Sequence, residues 1–283
     1  MNNIVIIGAP RSGTNMLRDV LTSFDGIGTW PCDEINYIWR HGNVRYPSDE
    51  IPASRATPAV ANYIRGRFET IRRAQNVDVV VEKTCANCLR VPFVDRVVPD
   101  AKYIYIYRDG IDATGSAKLR WTAKLDIPYL MEKVRYVPFS DLPYYGLRYL
   151  WSRVYRLFSK DKRLAFWGPK LDDMQTILEA HPLNEVCALQ WQRCVDAADQ
   201  ALAKMPDDKV VRIKYENFVT HPQEELVRIL RFIGWDASPD RVASAVKGVS
   251  GKSLGKGRQA LGETEVRNLE TLVGESLARY GYL

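Results

Sequence analysis

Ile4-Val5-Ile6-Ile7-Gly8-Ala9-Pro10-Arg11-Ser12-Gly13-Thr14-Asn15 is the stretch on which the reading of this chain turns. A run of β-branched residues stops at Gly8, a small polar loop follows, and Met16, Leu17, Val20, Leu21 and Phe24 recur at helical spacing. This is a strand, a loop and a helix. Such a loop can be an ordinary βα connection. It can also aim several backbone N–H groups, with the positive end of the helix behind them, at one bound phosphate or sulfate.

The spacing is close to that of the triphosphate-binding loop G-x-x-x-x-G-K-[ST], but Thr14 stands where the lysine would be and no Ser or Thr follows it to hold magnesium. Arg11 carries the positive charge instead. Outward from this loop, strands and helices alternate to the end of the chain. Gly26 to Tyr37 reads as a short second strand followed by a loop with two adjacent carboxylates, Asp33 and Glu34, one of them a candidate base, or else a solvated pair or a helix cap. Pro58 to Ala74 is an amphipathic helix, and Val77 to Val81 a buried strand leading to Glu82-Lys83-Thr84. Leu89 to Val98 is a helix, and Lys102 to Tyr107 a strand ending at Arg108-Asp109-Gly110. Arg108 and Ser116, eight residues apart, can reach one phosphate from a strand end and the next helix. Asn184 to Met205 is a long helix, Val210 to Tyr215 a strand, and Pro222 opens a helix that Gly234 stops. Ser250 to Arg258 is a glycine-rich, basic, mobile-looking loop, and Glu263 to Tyr280 a final helix.

The pattern is an α/β fold with a mainly parallel sheet flanked by helices on both faces, ligands binding at the carboxyl ends of the strands. Arg11, Lys83, Arg108 and Tyr215 all fall at or just after such ends. The 283 residues read as a single domain, 1–283, without repeats or a convincing linker. Apolar residues at 46% and charged residues at 26% exclude a disordered chain, and no apolar run is long enough to span a membrane. Because the first strand starts at residue 4, no room is left for a secretory signal, and the chain as given is expected to be cytoplasmic. Five cysteines include only one closely spaced pair, Cys85 and Cys88, so free or buried thiols are expected rather than a metal site.

The net charge of +6 is concentrated. Residues 118–170 hold 12 Lys/Arg against 4 Asp/Glu, together with 12 of the 30 aromatic residues. That composition suits an insertion that binds an anionic or sugar-containing acceptor by charge and ring stacking, and it also suits contact with an anionic membrane surface. The aromatics can equally be core, with the charges on a solvated face.

Taken together, the motifs resemble sulfotransferases that use 3′-phosphoadenosine 5′-phosphosulfate (PAPS). Ala9-Pro10-Arg11-Ser12-Gly13-Thr14 is similar to the family's 5′-phosphosulfate loop, and Tyr107-Arg108-Asp109 with Ser116 to its 3′-phosphate motif. The resemblance extends to Glu82-Lys83-Thr84, to Lys214 through Phe218 and to the late Gly-Lys-Gly-Arg loop. It implies a P-loop NTPase-like sulfotransferase fold. Pro10, Arg11, Ser12, Gly13, Thr14 and Asn15 would grip the phosphosulfate, and Arg108 with Ser116 the 3′-phosphate. Tyr215 would lie by the adenine, with Lys256, Gly257 and Arg258 closing over the nucleotide. Gly257 departs from the family's frequent aromatic. Glu34, 23 residues after Arg11, matches the place of the catalytic base in Golgi-type members, with Asp33 the fallback.

Sulfuryl transfer to a hydroxyl asks for these groups: a carboxylate to take the proton, and Lys83 with Arg11 to stabilise charge on the departing oxygen. No metal is required for that. The acceptor expected is a carbohydrate, from the aromatic, basic insertion and from likeness to bacterial carbohydrate sulfotransferases that includes Trp167-Gly168-Pro169-Lys170. A tyrosine or small phenol is the alternative acceptor. A nucleotide kinase and a glycan- or nucleic-acid-binding module are the competing classes, though no nucleic-acid partner is expected of the enzyme.

Overall fold

The structure is a computed structural model and describes residues 2–121, 137–143, 146–147 and 167–283. Its strands are β1 (Asn2–Ile7), β2 (Ile27–Gly28), β3 (Val79–Lys83), β4 (Lys102–Tyr107) and β5 (Val210–Lys214). They form one sheet in the order β2-β3-β1-β4-β5, every pair parallel. The chain moves outward from β1 to β2, returns through β3, and crosses β1 to β4. Strand order therefore reverses around β1, and the crevice that such a reversal opens lies beyond the carboxyl ends of β1, β3 and β4.

The helices of the first half are α1 (Thr14–Leu21), α2 (Asn36–Trp39), α3 (Pro58–Gln75), α4 (Val91–Val97) and α5 (Gly110–Trp121). Those of the second half are α6 (Met174–Ala180), α7 (Leu183–Leu202), α8 (Tyr215–Thr220), α9 (Pro222–Ile233), α10 (Pro239–Ala245), α11 (Lys256–Gln259), α12 (Glu263–Leu272) and α13 (Gly274–Arg279).

Successive side chains of a strand point to opposite faces, and here both faces are covered. Val5, Ile7, Val80, Tyr103 and Tyr105 pack with α3, α4, α5 and α7. Ile4, Ile6, Val81, Ile104, Ile106 and Ile213 pack with α1, α8 and α9. This is the predicted parallel sheet with helices on both sides, and it explains why the strands read as continuous apolar runs.

Several boundaries differ from the sequence reading. The strand placed at Val77–Val81 begins at Val79, because Asn76 ends α3 in the left-handed conformation (φ 52) and the Val77 N–H still bonds back to Arg72 O at 3.1 Å. It runs on to Lys83, whose register partner is Ile6 of β1. Tyr215 opens α8 instead of ending β5. The last helix is two helices, broken at Val273 and Gly274.

All five cysteines carry free thiols, and four of them are buried. Among the described residues no helix is long and apolar enough to cross a membrane. Most of the aromatic, basic segment, namely 122–136, 144–145 and 148–166, lies outside the described residues. At its two ends, Trp121, the last residue of α5, is fully buried in the core, while Trp167 to Lys170 is held by the rest of the domain. Gln190 Nε2 donates to the carbonyls of Trp167 (3.1 Å) and Pro169 (2.7 Å), and the Lys170 N–H donates to Asp49 Oδ2 (2.8 Å).

Candidate active site

Two glycines close the loop after β1. A Cβ on Gly8 would approach the Ile106 carbonyl oxygen to 2.7 Å, and one on Gly13 the Tyr215 ring to 2.5 Å. Gly13, at φ 85, precedes α1 without any side-chain cap, so the first N–H groups of that helix face outward from its end. Arg11 is a non-glycine residue in the left-handed region, φ 71. That turn presents its carbonyl oxygen to Arg108 Nη1 at 3.0 Å. Its side chain crosses to α5, where Nε donates to Ser116 Oγ at 2.9 Å. The two halves of the predicted anion site, 105 residues apart in sequence for Arg11 and Ser116, are thus in direct contact.

The charge there is one-sided. Burial, then the nearby Arg120 and, less strongly, Arg108, push the Arg11 guanidinium below its usual range, against opposing effects from Cys85 and Tyr215. Among the described residues, Ser12 Oγ, Asn15 Oδ1 and Arg108 Nε are buried without a hydrogen-bond partner. Two of these atoms are or can be donors, and leaving a buried donor unsatisfied costs about 1–3 kcal/mol. An anion carrying several oxygens fits this donor set.

Lys83, at the end of β3, is 5% exposed and donates through Nζ to Glu34 Oε1 at 3.2 Å. The same oxygen accepts the Cys85 N–H at 3.3 Å. Burial pushes the Lys83 pKa down, but Glu34, Cys85 and Asp33 together outweigh it, and the ammonium is held above its ordinary range. Asp33 turns the other way, its Oδ1 3.6 Å from Arg18 Nη1 on α1. Neither acid caps α2, whose N-cap is Ile35. The Cys85 thiol sits 3.8 Å from Thr14 Oγ1, and burial, with Glu34 next, pushes its pKa well up, so it stays protonated.

Tyr215 is 4% exposed. Its ring covers Gly13 and receives the Arg108 guanidinium 4.4 Å from its centroid, and its hydroxyl bonds Ser253 Oγ at 2.6 Å. Lys256 is exposed on α11, while Arg258 is ion-paired with Glu270 (2.7 Å) and lies 3.8 Å from Asp109.

One participant escaped the sequence reading. Asp112, 2% exposed on α5, accepts hydrogen bonds from Arg108 Nη2 and from the N–H groups of Gly255 (3.3 Å), Gly257 (2.6 Å) and Arg258 (3.3 Å). The late loop is therefore anchored, contrary to its mobile composition, and includes a short 3-10 turn at Gly251–Ser253. The available signal was an acid four residues after Arg108 on a helix. Gly257 has a steric reason as well. A Cβ there would overlap the Asp112 carbonyl oxygen, and one on Gly115 would overlap the Gly257 carbonyl oxygen, so main chain lies directly on main chain. Among the described residues no cluster of three or more His, Cys, Asp or Glu side chains is arranged for a metal ion.

The profile of the Sulfotransferase family matches residues 33–156 and 152–239, well over half of the chain. The fold is similar to that of a sulfotransferase domain from the curacin biosynthetic pathway, at TM-score 0.53 and 13% identity over 96% of each chain. Sulfotransferase STF9 from Mycobacterium avium has TM-score 0.54 and 11% identity, covering 99% of this chain and 77% of that one. Mouse sulfotransferase SULT7A1, solved in complex with PAP, has TM-score 0.51 and 14% identity, covering 98% and 84%. A search of curated proteins found no match. The chain belongs to the sulfotransferase family. It is a sulfuryl-transferring enzyme on a P-loop-like α/β fold.

Proposed function

We propose that the enzyme uses PAPS as donor and sulfates a hydroxyl of a carbohydrate. The observation that carries the reading is the convergence of Arg11, Lys83, Arg108 and Ser116 at the strand ends, with the Glu34 carboxylate paired to Lys83. When bound, PAPS supplies the transferable sulfuryl group. Arg11 and the N–H groups at the start of α1, with Pro10 to Asn15 around them, hold the 5′-phosphosulfate. Arg108 Nε and Ser116 Oγ take the 3′-phosphate, and Tyr215 borders the nucleotide through the ring that covers Gly13. Lys256, and the loop of Gly257 and Arg258, close the same side.

Glu34 accepts the proton of the acceptor hydroxyl, which general-base catalysis makes worth roughly 10²- to 10⁴-fold in rate. Lys83 and Arg11 stabilise the charge left on the departing oxygen. Asp33, engaged with Arg18, is the weaker candidate. The saccharide acceptor is supported by the aromatic, basic segment and by its anchored end. Lys170 is tied to Asp49, and Asp49 accepts from Asn36 Nδ2 (3.2 Å), two residues past Glu34. Free thiols throughout suit a reducing, cytoplasmic compartment.

Calorimetric titration with PAP, and with ATP plus magnesium, tests the donor. Binding of PAP without ATP is expected, and the reverse result defeats the proposal. A panel of saccharides, tyrosyl peptides and phenols with labelled PAPS tests the acceptor, and label passing to phenols alone would replace the carbohydrate.

A further inference from the structure

Behind the Glu34 loop lies a ring of buried polar side chains that takes no part in the chemistry above. Thr84, fully buried, accepts the Ile35 N–H on Oγ1 at 3.2 Å and donates its own hydroxyl hydrogen to Glu82 Oε1 at 2.5 Å. Glu82 Oε2 accepts from Asn87 Nδ2 at 2.9 Å, and Asn87 Oδ1 accepts from Arg90 Nε at 2.9 Å. Arg90 Nη2 then donates to Asn36 Oδ1 at 2.6 Å. The ring leaves the chain at Ile35 and rejoins it at Asn36, the two residues that follow Glu34.

We infer that Thr84, held by Glu82, is a positioning residue for sulfuryl transfer: it fixes the main chain from which Glu34 reaches Lys83 and the acceptor hydroxyl. Three observations bear on this. The side chain of Glu34 is about a third exposed, at 30%, so packing alone does not fix it. Its oxygen is met by two donors of the β3 end, Lys83 Nζ and the Cys85 N–H, and Thr84 lies between those residues in sequence. The anchor is also rigid, since Glu82, Thr84 and Asn87 are all 0% exposed and each is hydrogen-bonded within the ring. A reacting group displaced by about 1 Å loses on the order of 10²-fold in rate, so such an anchor acts on turnover without touching the donor.

The inference rests on Glu34 being the base, and the experiment separates the two. Thr84→Val keeps the shape and removes the hydroxyl, while Thr84→Ser keeps the hydroxyl. Release of PAP from labelled PAPS is measured with glycerol as the probe acceptor, alongside PAP affinity by calorimetry. Thr84→Val is expected to lower turnover 10- to 100-fold with PAP affinity within twofold of the parent, and Thr84→Ser to restore most of the rate. Full activity of Thr84→Val beside an inactive Glu34→Gln overturns the positioning role and leaves the base. An active Glu34→Gln overturns the base itself. Amide hydrogen exchange in the unmodified protein gives a check that needs no variant to fold. The Ile35 N–H is expected to be protected, and exchange at the rate of an open amide overturns the inference.

Discussion

Lys83 Nζ and Glu34 Oε1 are 3.2 Å apart, so the cation proposed to face the leaving group and the carboxylate proposed to face the acceptor hold one another in place. Groups that act as a unit give non-additive losses. Lys83→Ala and Glu34→Gln are each expected to reduce turnover by about 10²-fold or more. The double variant should be little worse than the more severe single one. Single-turnover rates with PAPS check this, and fully multiplicative losses would show two independent groups.

Asp112 joins Arg108 to three backbone N–H groups of the late loop. Asn at this position offers one acceptor oxygen instead of two and adds an NH₂ group facing other donors. Asp112→Asn is expected to weaken PAP binding about tenfold, about 1.4 kcal/mol. It should also speed tryptic cleavage at Lys256. Calorimetry and limited digestion measure the two effects, and unchanged digestion would mean that the loop does not need this anchor.

Glycine positions separate steric demand from helix propensity. Gly13→Ala meets the Tyr215 ring and a positive φ, and should destabilise by about 1–3 kcal/mol. Gly66 lies inside α3 with no atom within 4 Å of a built Cβ, so Gly66→Ala should stabilise by about 0.5–1 kcal/mol. Urea unfolding of both variants tests the opposite signs.

Glu82 gives a pH signature. Burial pushes its carboxyl from 4.5 up to about 7, against the pull of Thr84, Arg90 and Lys83. Between those values the folded protein keeps a proton that the unfolded chain has released. Its stability therefore falls as pH rises through this window and levels off above it. The loss attributable to Glu82 is about 3 kcal/mol. Unfolding free energies of Glu82→Gln and the parent should diverge by that amount between pH 4.5 and 7, and parallel curves would place the proton elsewhere.

Much of the site was legible because it is local. Gly8 to Asn15 announces its strand, turn and helix within a dozen residues, and the alternation of later elements placed Lys83 and Arg108 at strand ends. The contacts that organise the site are not local. Asp112 meets the late loop 143 to 146 residues away, and Thr84 meets Ile35 across 49. Composition therefore suggested a mobile loop at 250–258, where a distant carboxylate holds an ordered one. From sequence Tyr215 ends the strand that starts at Val210, yet it opens α8 and its ring covers Gly13, a demand visible only once both are folded.

Where Gly115 meets Gly257, α5 and the late loop touch main chain to main chain, beside the Asp112 carboxylate that also joins them. A wall made of peptide groups has no rotamers to change. Its contour is set by backbone and by the Asp112 carboxylate that pins it. Only two codons guard it, and a single methyl group at either would pry the wall open.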